Sequence, residues 1–473
     1  MEWSDPGTHR QENCYVCAND MYGINRIKAK KWIYQGVASA MVPTPHDDEH
    51  PVPQHPTQID FSTASVSYLP PSEPTDPADP DYVQPPAFCF PSLISQEHLD
   101  RIVRKLHLSQ NNAMTLASEL RSVHVLAPGV KVTEYRHRQE PFLPYYTLSE
   151  DGTYTFCHDI VGLMNAIGVK YKKEKWRIFI DSSKRSLKAV LLYENSTIKP
   201  VPIFYGVGTK ETDDSMEMII NSVNYNEHMW RVNCDFKVLA LLTGLNKAYC
   251  KYCCPFCKWD SRWKGGNHYD KKNWPLRTER GRVGYYSIVR KPIIERSKVM
   301  IPNLHIKLGI VKSFIKTLVA TNITAFNHLK DNVFPKLTVG KITEGVLNGP
   351  DIRKLLKDER FVECLSRHQA IAWDSIKAVL NDVLGNNRTE NYRVLLDDMM
   401  DSFKQLDVHM SLKIHVLHAH YEFLDMQKPT ESDEPGEWFH QTIMEFENRF
   451  AGKRLDSMLA DFCWWISHDQ IRV

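Results

Sequence analysis

The sequence predicts an α/β fold, in which a mixed five-stranded sheet is interrupted by a large helical insertion and preceded by a proline-rich, partly disordered N-terminal region. Three observations predict it. Short apolar runs with strand-like composition occupy 177–182, 187–193 and 200–207. Apolar residues recur at helical spacing from about 300 to 425. Prolines crowd together with Asp, Glu and Ser from 43 to 91, a composition that cannot bury a core of its own.

The order of elements in the sheet region narrows the fold further. The three runs are joined by polar turns and followed by a predicted helix over 213–224, a strand over 230–235 and a helix over 236–246. The first strand ends at Asp181 and the fourth at Asp235. Three strands, a helix and a strand, with acids closing the first and fourth strands, is the RNase H-like order. We therefore expect an RNase H-like core.

Helices are expected on both sides of this core. Two short ones are predicted at 96–106 and 110–122, and another at 153–169. Later amphipathic helices are predicted near 350–358, 369–384, 391–406, 410–424, 439–449 and 455–466. The resulting parts are a small Cys-containing segment (1–42), the linker (43–92), a helical region (93–172), the first part of the core (173–258), the helical insertion (259–410) and the remainder of the core with its C-terminal helices (411–473).

Composition and charge limit the classes of partner that the chain could have. The net charge is only +2, but residues 1–130 hold 9 Lys and Arg against 15 Asp and Glu, which leaves the remaining chain at +8. A basic balance permits phosphate binding. The longest apolar stretch falls short of the ~20 residues that span a bilayer, so we expect no membrane span. With no sign of secretion, the eleven Cys are interpreted as reduced thiols or metal ligands of a cytosolic or nuclear protein.

The acids at the predicted strand ends suggest divalent-metal chemistry. Phosphoryl transfer between nucleic acid strands uses two metal ions held by carboxylates, the hard oxygen ligands that Mg²⁺ prefers. Asp181 and Asp235 would lie side by side, and a distant acid could complete the set. Each could instead be an ordinary strand-end or helix-capping residue. Spacing alone does not select the third acid among Glu431, Asp433, Glu434 and Glu437.

Cysteine and histidine pairs suggest a zinc site. A tetrahedral zinc needs four nitrogen or sulfur ligands. Two Cys-x-x-Cys pairs overlap, and three histidines follow far along the chain: Cys250, Cys253, Cys254, Cys257, His415, His418 and His420. The alternative is a buried thiol cluster with hydrogen-bonded histidines. A second candidate set is Cys14, Cys17, His46 and His50, although the 28 residues between its two pairs exceed the usual zinc-finger loop.

Basic and aromatic residues are weaker candidates. Lys184 and Arg185 follow Asp181 in a predicted hairpin turn, where they could hold a substrate phosphate or be a solvated turn. Trp259 and Trp263 could stack on an unpaired base or pack around the zinc. His305 is either a buried core histidine or a helper of the active site.

These residues together resemble the DDE/D transposases of eukaryotic cut-and-paste elements. The resemblance is strongest to the group with a Cys-x-x-Cys and His-x4-His insertion, which includes the CACTA–Mirage–Chapaev, Kolobok and Transib types and the vertebrate V(D)J recombinase catalytic subunit. It covers about 176–440. The whole chain also resembles a set of transposon-derived arthropod proteins.

The resemblance implies roles for individual residues. Asp181, Asp235 and Glu434 match the acids that hold Mg²⁺ or Mn²⁺; Glu434 is preferred because Glu-Pro-Gly-Glu-Trp-Phe fits the family's glutamate motif. Cys254, Cys257, His415 and His420 match the zinc ligands. The implied activity is metal-dependent DNA strand cleavage and transfer in the nucleus, by a homodimer or higher oligomer on DNA.

Two departures from the family keep other functions open. We find no convincing domain for binding terminal repeats, and Pro435 is expected to disturb the helix that carries the glutamate. One alternative is therefore a catalytically inactive, domesticated transposase that acts as a nuclear DNA- or chromatin-binding protein. Another is an RNase H-like nuclease that cleaves RNA or RNA–DNA hybrids.

Overall fold

A computed structural model describes residues 93–183, 185–246, 250–278 and 281–468. They belong to one structural unit, Phe90–Val473. The predicted segments 1–42 and 43–92, and with them the candidate zinc ligands Cys14, Cys17, His46 and His50, lie outside the described residues.

The centre of the fold is a mixed six-stranded sheet. In chain order its strands are β1 (Tyr146–Leu148), β2 (Tyr154–Cys157), β3 (Trp176–Ser182), β4 (Ser186–Tyr193), β5 (Val201–Val207) and β6 (Arg231–Cys234). Across the sheet the order is β1-β2-β5-β4-β3-β6. The pairing of β3 with β6 is parallel, and every other neighbouring pair is antiparallel. The predicted α/β class and mixed sheet are confirmed.

The sheet has six strands where five were expected, because the predicted helix at 153–169 is wrong over its first turn. Tyr154 to Cys157 form β2, which pairs with both β1 and β5. Aromatic and β-branched residues at these positions favour a strand. The helix starts only at Ile160, where the Asp159 carboxylate caps it by accepting from the Gly162 amide at 2.8 Å.

The described part of the chain folds into α-helices that precede, separate and follow the strands of the sheet in sequence. Before residue 250 these are α1 (Gln96–Lys105), α2 (Gln110–Ser122), α3 (Ile160–Ile167), α4 (Asp213–Ser222), α5 (Tyr225–His228) and α6 (Phe236–Leu242). After residue 302 they are α7 (Asn303–Thr321), α8 (Ile323–His328), α9 (Val339–Thr343), α10 (Gly349–Leu356), α11 (Glu359–Glu363), α12 (Arg367–Ala378), α13 (Tyr392–Gln405), α14 (Leu412–Ala419), α15 (Glu422–Asp425), α16 (Glu434–Phe450) and α17 (Leu455–Ser467). The C-terminal part of the chain is thus helical, as expected.

The start of the predicted helical insertion is not helical. Among the described residues from 250 to 302, the helical turns are the short 3₁₀ segments His268–Asp270 and Arg296–Lys298. Gly, Pro and Trp are frequent in this stretch and disfavour a long helix. The α-helices therefore resume only at Asn303.

Two C-terminal helices complete the core around the sheet. Nearly every side chain of α17 is buried, and this helix contacts β1, β2 and β5. Helix α16 lies against β3 and β4. The approach is close at Gly436, where an added Cβ would overlap the Phe179 ring of β3. No helix in the described part of the chain is long and apolar enough to cross a membrane.

Candidate active site and metal cluster

Two of the predicted acids meet at one edge of the sheet. Ile180 of β3 is paired in parallel with Cys234 of β6, so the residues that follow them, Asp181 and Asp235, leave the sheet side by side. Asp235 also caps α6 by accepting from the Val238 amide at 2.7 Å. Burial raises the pKa of Asp235, and the hydrogen bond from Val238 opposes that effect. The negative charges of Glu211 and Asp181 raise the same pKa further.

Helix α16 brings a third acid to this edge. Because Gly436 has no side chain, the first turn of α16 can rest on Phe179, two residues before Asp181. Glu437 follows directly. Burial raises its pKa, and the charge of Asp181 raises it further. His440 lies one turn later, with its Nδ1 2.8 Å from Asp181 Oδ2.

The other three acids near the start of α16 have different partners. Glu434 is half exposed, and its carboxylate lies 3.6 Å from Lys307 Nζ. Asp433 is fully buried and accepts from the Leu304 amide at 2.7 Å. Glu431 is buried and pairs with Arg231. Glu437, by contrast, lies one turn before His440, which contacts Asp181 at 2.8 Å. The role of Glu434 stays a prediction, and these contacts favour Glu437.

Pro435 does not disturb the helix, contrary to expectation. Helix α16 begins at Glu434, so the proline falls in its first turn. Backbone N–H groups at that position have no partner inside a helix, and the fixed φ of proline suits it. The segment before the helix is held by Arg177 of β3, which is buried and donates to the Ser432 carbonyl at 2.8 Å.

Further polar groups surround the acids. Glu211 and His440 were not predicted from the sequence, and the role of His305 was left open. His305 Nδ1 lies 2.8 Å from Asp433 Oδ2. Burial would lower the pKa of His305, but the hydrogen bond to Asp433 and the negative charge of Asp433 together outweigh it, and the pKa is raised. Glu211 accepts from Ser182 and raises the pKa of Asp235. The missed signal for His440 was its spacing of three residues from Glu437, which places both on one face of a helix.

A buried ion pair adjoins this site. Lys188 of β4 is the cross-strand partner of Asp181. Its Nζ lies 2.7 Å from Glu447 Oε1 and 3.4 Å from His440 Nδ1, and its side chain is only 2% exposed. Glu437, His440 and Glu447 therefore line one face of α16 against β3 and β4. The pair fixes the position of the histidine that contacts Asp181.

The Cys and His residues singled out from the sequence form a second, separate cluster. Cys254, Cys257, His415 and His420 are all buried, and one ligand atom from each lies within 4.8 Å of the others. Cys254 Sγ is 3.5 Å from His420 Nε2, and Cys257 Sγ is 3.3 Å from His415 Nε2. Ligands of a tetrahedral zinc, at bond lengths of about 2.0 to 2.3 Å, are separated by similar distances. The cluster can hold a metal such as zinc.

The remaining Cys and His candidates stay outside the cluster. Cys250 and Cys253 are partly exposed. His418 is buried, and burial lowers its pKa to about 4, so it is neutral near pH 7. Trp259 is buried and stacks on His415, with ring centroids 4.3 Å apart and planes 5° apart. Trp259 therefore packs against the cluster, and its ring is not available to stack on a nucleic acid base.

Two buried arginines hold the loops around the Cys pair. Arg277 donates to the backbone carbonyls of Cys254 and Tyr252 at 2.7 and 2.8 Å. Arg296 donates to the Pro255 and Thr243 carbonyls, each at 3.1 Å. A buried guanidinium that satisfies several carbonyls ties together segments without a regular ladder of hydrogen bonds. These bonds hold the backbone carbonyls of Tyr252, Cys254 and Pro255 in the loop that carries the Cys pair.

Of the two residues predicted to contact phosphate, Lys184 and Arg185, the structure describes Arg185. Lys184 lies outside the described residues. Arg185 is exposed in the turn between β3 and β4, and its amide donates to Ser183 Oγ at 3.2 Å. Its proposed contact with phosphate stays a prediction.

Comparison with known proteins gives two partial matches. The family model of a domain of unknown function, DUF8703, matches residues 134–294, and that of a second, DUF8704, matches residues 303–385. No curated protein matches the chain. The two matches meet just before α7, at the junction between the sheet with its metal-cluster loop and the helical block. The chain is thus similar to two successive domains whose function is not known.

Proposed function

We propose that this protein is a DDE/D transposase-like enzyme that cleaves and transfers DNA strands with divalent metal ions. The observation that carries the proposal is the convergence of Asp181, Asp235 and Glu437, three acids from distant parts of the chain, at one sheet edge. Neighbouring carboxylates repel one another, and hard divalent ions suit such oxygen ligands.

The topology supports the same proposal. Strands β3, β4 and β5 form an antiparallel meander, and β6 returns to pair in parallel with β3. An RNase H-like core has this arrangement of its first four strands, with acids at the ends of the first and fourth. We therefore extend the α/β assignment to an RNase H-like fold, with the β1–β2 hairpin as an addition at the far edge.

The proposed chemistry assigns a task to each group. A pair of Mg²⁺ or Mn²⁺ ions would activate the attacking oxygen and stabilise the leaving one. Asp181, Asp235 and Glu437 hold those ions. His440 orients the Asp181 carboxylate, and His305 fixes Asp433 beneath the first turn of α16. Ligands that are themselves hydrogen-bonded keep their geometry when an ion leaves or enters.

For the Cys and His cluster we propose a structural zinc ion. Four buried ligands of the Cys₂His₂ type match zinc chemistry and leave no open position for a substrate. The site joins the loop after α6 to helix α14. Lys413, two residues before His415, packs against Gly309 of α7, the helix whose Leu304 amide donates to Asp433. A zinc ion at this cluster would therefore hold α14 in place against the helix that contacts the acids.

The test is metal-dependent nicking of a supercoiled plasmid by the purified protein. Wild-type protein with Mn²⁺ should convert supercoiled to nicked DNA, and Asp181→Asn and Asp235→Asn should not. The same assay with RNA and RNA–DNA hybrid substrates separates a DNA enzyme from an RNase H-like nuclease. Absence of nicking by wild-type protein, with zinc bound and the fold intact, would overturn the enzymatic proposal.

One observation favours a second candidate, a nuclear DNA- or chromatin-binding protein without catalysis. Asp181 and Asp433 already have histidine partners at 2.8 Å within the chain. Such internal partners satisfy the carboxylates without a metal. On this alternative, plasmid binding survives in Asp181→Asn and no variant nicks. Nuclear location and assembly into a dimer or higher oligomer on DNA belong to both candidates, and light scattering of the protein–DNA complex tests the latter.

A further inference from the structure

The positive charge of this chain is concentrated in the segment that surrounds the Cys pair. Residues 251–291 contain eleven Lys and Arg against three Asp and Glu, a net charge of +8 in a chain whose total is +2. The same segment holds eight aromatic residues. Basic residues interleaved with aromatic ones are typical of surfaces that bind the backbone and the bases of single strands.

Within this segment the structure exposes two neighbouring tyrosines. Tyr285 and Tyr286 are 51% and 42% exposed, high values for large aromatic side chains. A cation lies over each ring: Arg282 over Tyr285 at 4.6 Å and Lys258 over Tyr286 at 4.5 Å. Tyr252 packs edge-on against Tyr286, with centroids 5.0 Å apart. We call these five residues the tyrosine face.

A hydrogen bond from a buried arginine and a constrained backbone turn hold the tyrosine face in place. The Arg277 guanidinium that binds the Cys254 carbonyl also donates to the Tyr286 carbonyl at 2.9 Å. Tyr286 and Ser287 adopt positive φ values of 49° and 63°. This conformation is unfavourable for residues with side chains and persists only when the surroundings impose it. The rings are thus presented on a fixed turn next to the metal cluster.

We propose that the tyrosine face binds single-stranded DNA, with unpaired bases stacked on Tyr285 and Tyr286 and phosphates on Lys258 and Arg282. Stacking on aromatic rings tolerates any base, and the nearby cations supply the backbone contact. Patches of exposed apolar rings alone would fit a protein partner as well, but the cations that lie over both rings favour a polyanion. The choice of DNA over RNA rests on the proposed function.

Fluorescence anisotropy with a labelled oligo(dT) strand tests this proposal. The binding protein is Asp181→Asn, measured without added Mg²⁺ and without chelator, so that cleavage is absent and zinc remains. Adding Tyr285→Ala and Tyr286→Ala should weaken binding at least tenfold, and adding Tyr285→Phe and Tyr286→Phe should leave it nearly unchanged. Equal affinity of the alanine and phenylalanine versions would overturn the proposal.

A second pair of variants keeps the test decisive if the alanine version fails to fold. Lys258→Gln with Arg282→Gln should weaken oligo(dT) binding and reduce its dependence on salt, because fewer counterions are released. The matched control is Lys316→Gln with Lys341→Gln, which removes two cations from the helical block. Equal loss in both pairs would mean unspecific attraction and would overturn the proposal. Tighter binding of an oligo(U) strand than of oligo(dT) would overturn the choice of DNA.

The outcome is separable from that of the proposed function. Binding of oligo(dT) that depends on the tyrosines, together with no nicking by wild-type protein, supports the tyrosine face and rejects the enzyme. Nicking with no effect of the tyrosine variants on oligo(dT) binding supports the enzyme and rejects the tyrosine face.

Discussion

At the scale of single residues, the third acid shows why sequence spacing was insufficient. Glu431, Asp433, Glu434 and Glu437 lie within seven positions, and each could open or precede a helix. Their environments separate them: two are buried with partners of their own, one is half exposed beside a lysine, and Glu437 faces Asp181. The choice of the third acid depends on the residue at which α16 begins and on which face of α16 packs against the sheet.

The choice between Glu437 and Glu434 can be measured directly. Glu437→Gln should lower Mn²⁺-dependent plasmid nicking at least about 100-fold, since loss of a metal ligand costs more than loss of its hydrogen-bond partner. Glu434→Gln is the matched control, three residues earlier on the same helix, and should retain most activity because its carboxylate faces Lys307. The reverse pattern would return the role to Glu434.

Gly436 makes a prediction about stability. In Gly436→Ala the new Cβ would overlap the Phe179 ring, which is buried on an interior strand of the sheet and cannot move away easily. We expect a loss of about 1–3 kcal/mol in the free energy of unfolding. Gly340→Ala is the control: it is also helical, has nothing within 4 Å of an added Cβ and should be neutral or slightly stabilising. Denaturant unfolding of the two variants measures the change in the free energy of unfolding that each substitution causes.

At the scale of elements, helix α14 links the two sites. It carries His415, whose ring lies in the metal cluster, and Lys413, whose side chain packs against Gly309 of α7. Burial raises the pKa of the Cys254 thiol well above its ordinary value. A zinc ion held by Cys254, Cys257, His415 and His420 would keep both sulfurs as thiolates and would tie the loop after α6 to α14.

Removal of the metal should therefore destabilise the protein and silence its proposed activity together. We expect one zinc per chain by metal analysis, a melting temperature lower by several degrees after chelation, and loss of nicking that added Zn²⁺ restores with Mn²⁺ present throughout. Cys257→Ser should behave like the chelated protein. Cys364→Ser is the control, since Cys364 is partly exposed and distant from the cluster in the chain. A metal content unchanged in Cys257→Ser would contradict the assignment.

Most strands and helices were predictable because their sequence patterns are local. The apolar runs of β3, β4 and β5 and the caps of α1 and α2, Ser95 and Ser109, are visible within a few residues. The β1–β2 hairpin was missed because its strands are three and four residues long and adjoin a true helix. The spacing of His440 from Glu437 places both on one face of a helix, but which strand that face contacts, like the carbonyls that Arg277 binds, depends on tertiary packing.

At the scale of the whole molecule, one buried ion network joins the two ends of the described chain. Asp461 of α17 is 1% exposed and accepts from Arg138 Nη2 at 2.9 Å and from Arg449 Nη1 at 2.8 Å. Arg138 is likewise buried and lies over the Trp464 ring at 4.6 Å. Residues more than three hundred positions apart in sequence thus share one carboxylate.

Breaking this network should cost much more than breaking a surface pair. Asp461→Ala leaves Arg138 buried without its counter-charge, and we expect a loss of about 3–5 kcal/mol. Asp397→Ala, which removes the exposed partner of Lys272 at 2.6 Å, should cost less than about 1 kcal/mol. Urea unfolding of both variants gives the comparison, and equal losses would show that the network does not hold the ends together.

The parallel return of β6 to β3, and the docking of α16 on the same strand, have a consequence for biosynthesis. On the proposed assignment, a ribosome has released Asp181 and Asp235 long before Glu437 leaves the exit tunnel. A nascent or prematurely terminated polypeptide thus holds two acids of the set and lacks the third. If the proposed function holds, such a fragment is expected to be unable to cut DNA until Glu437 has been synthesised.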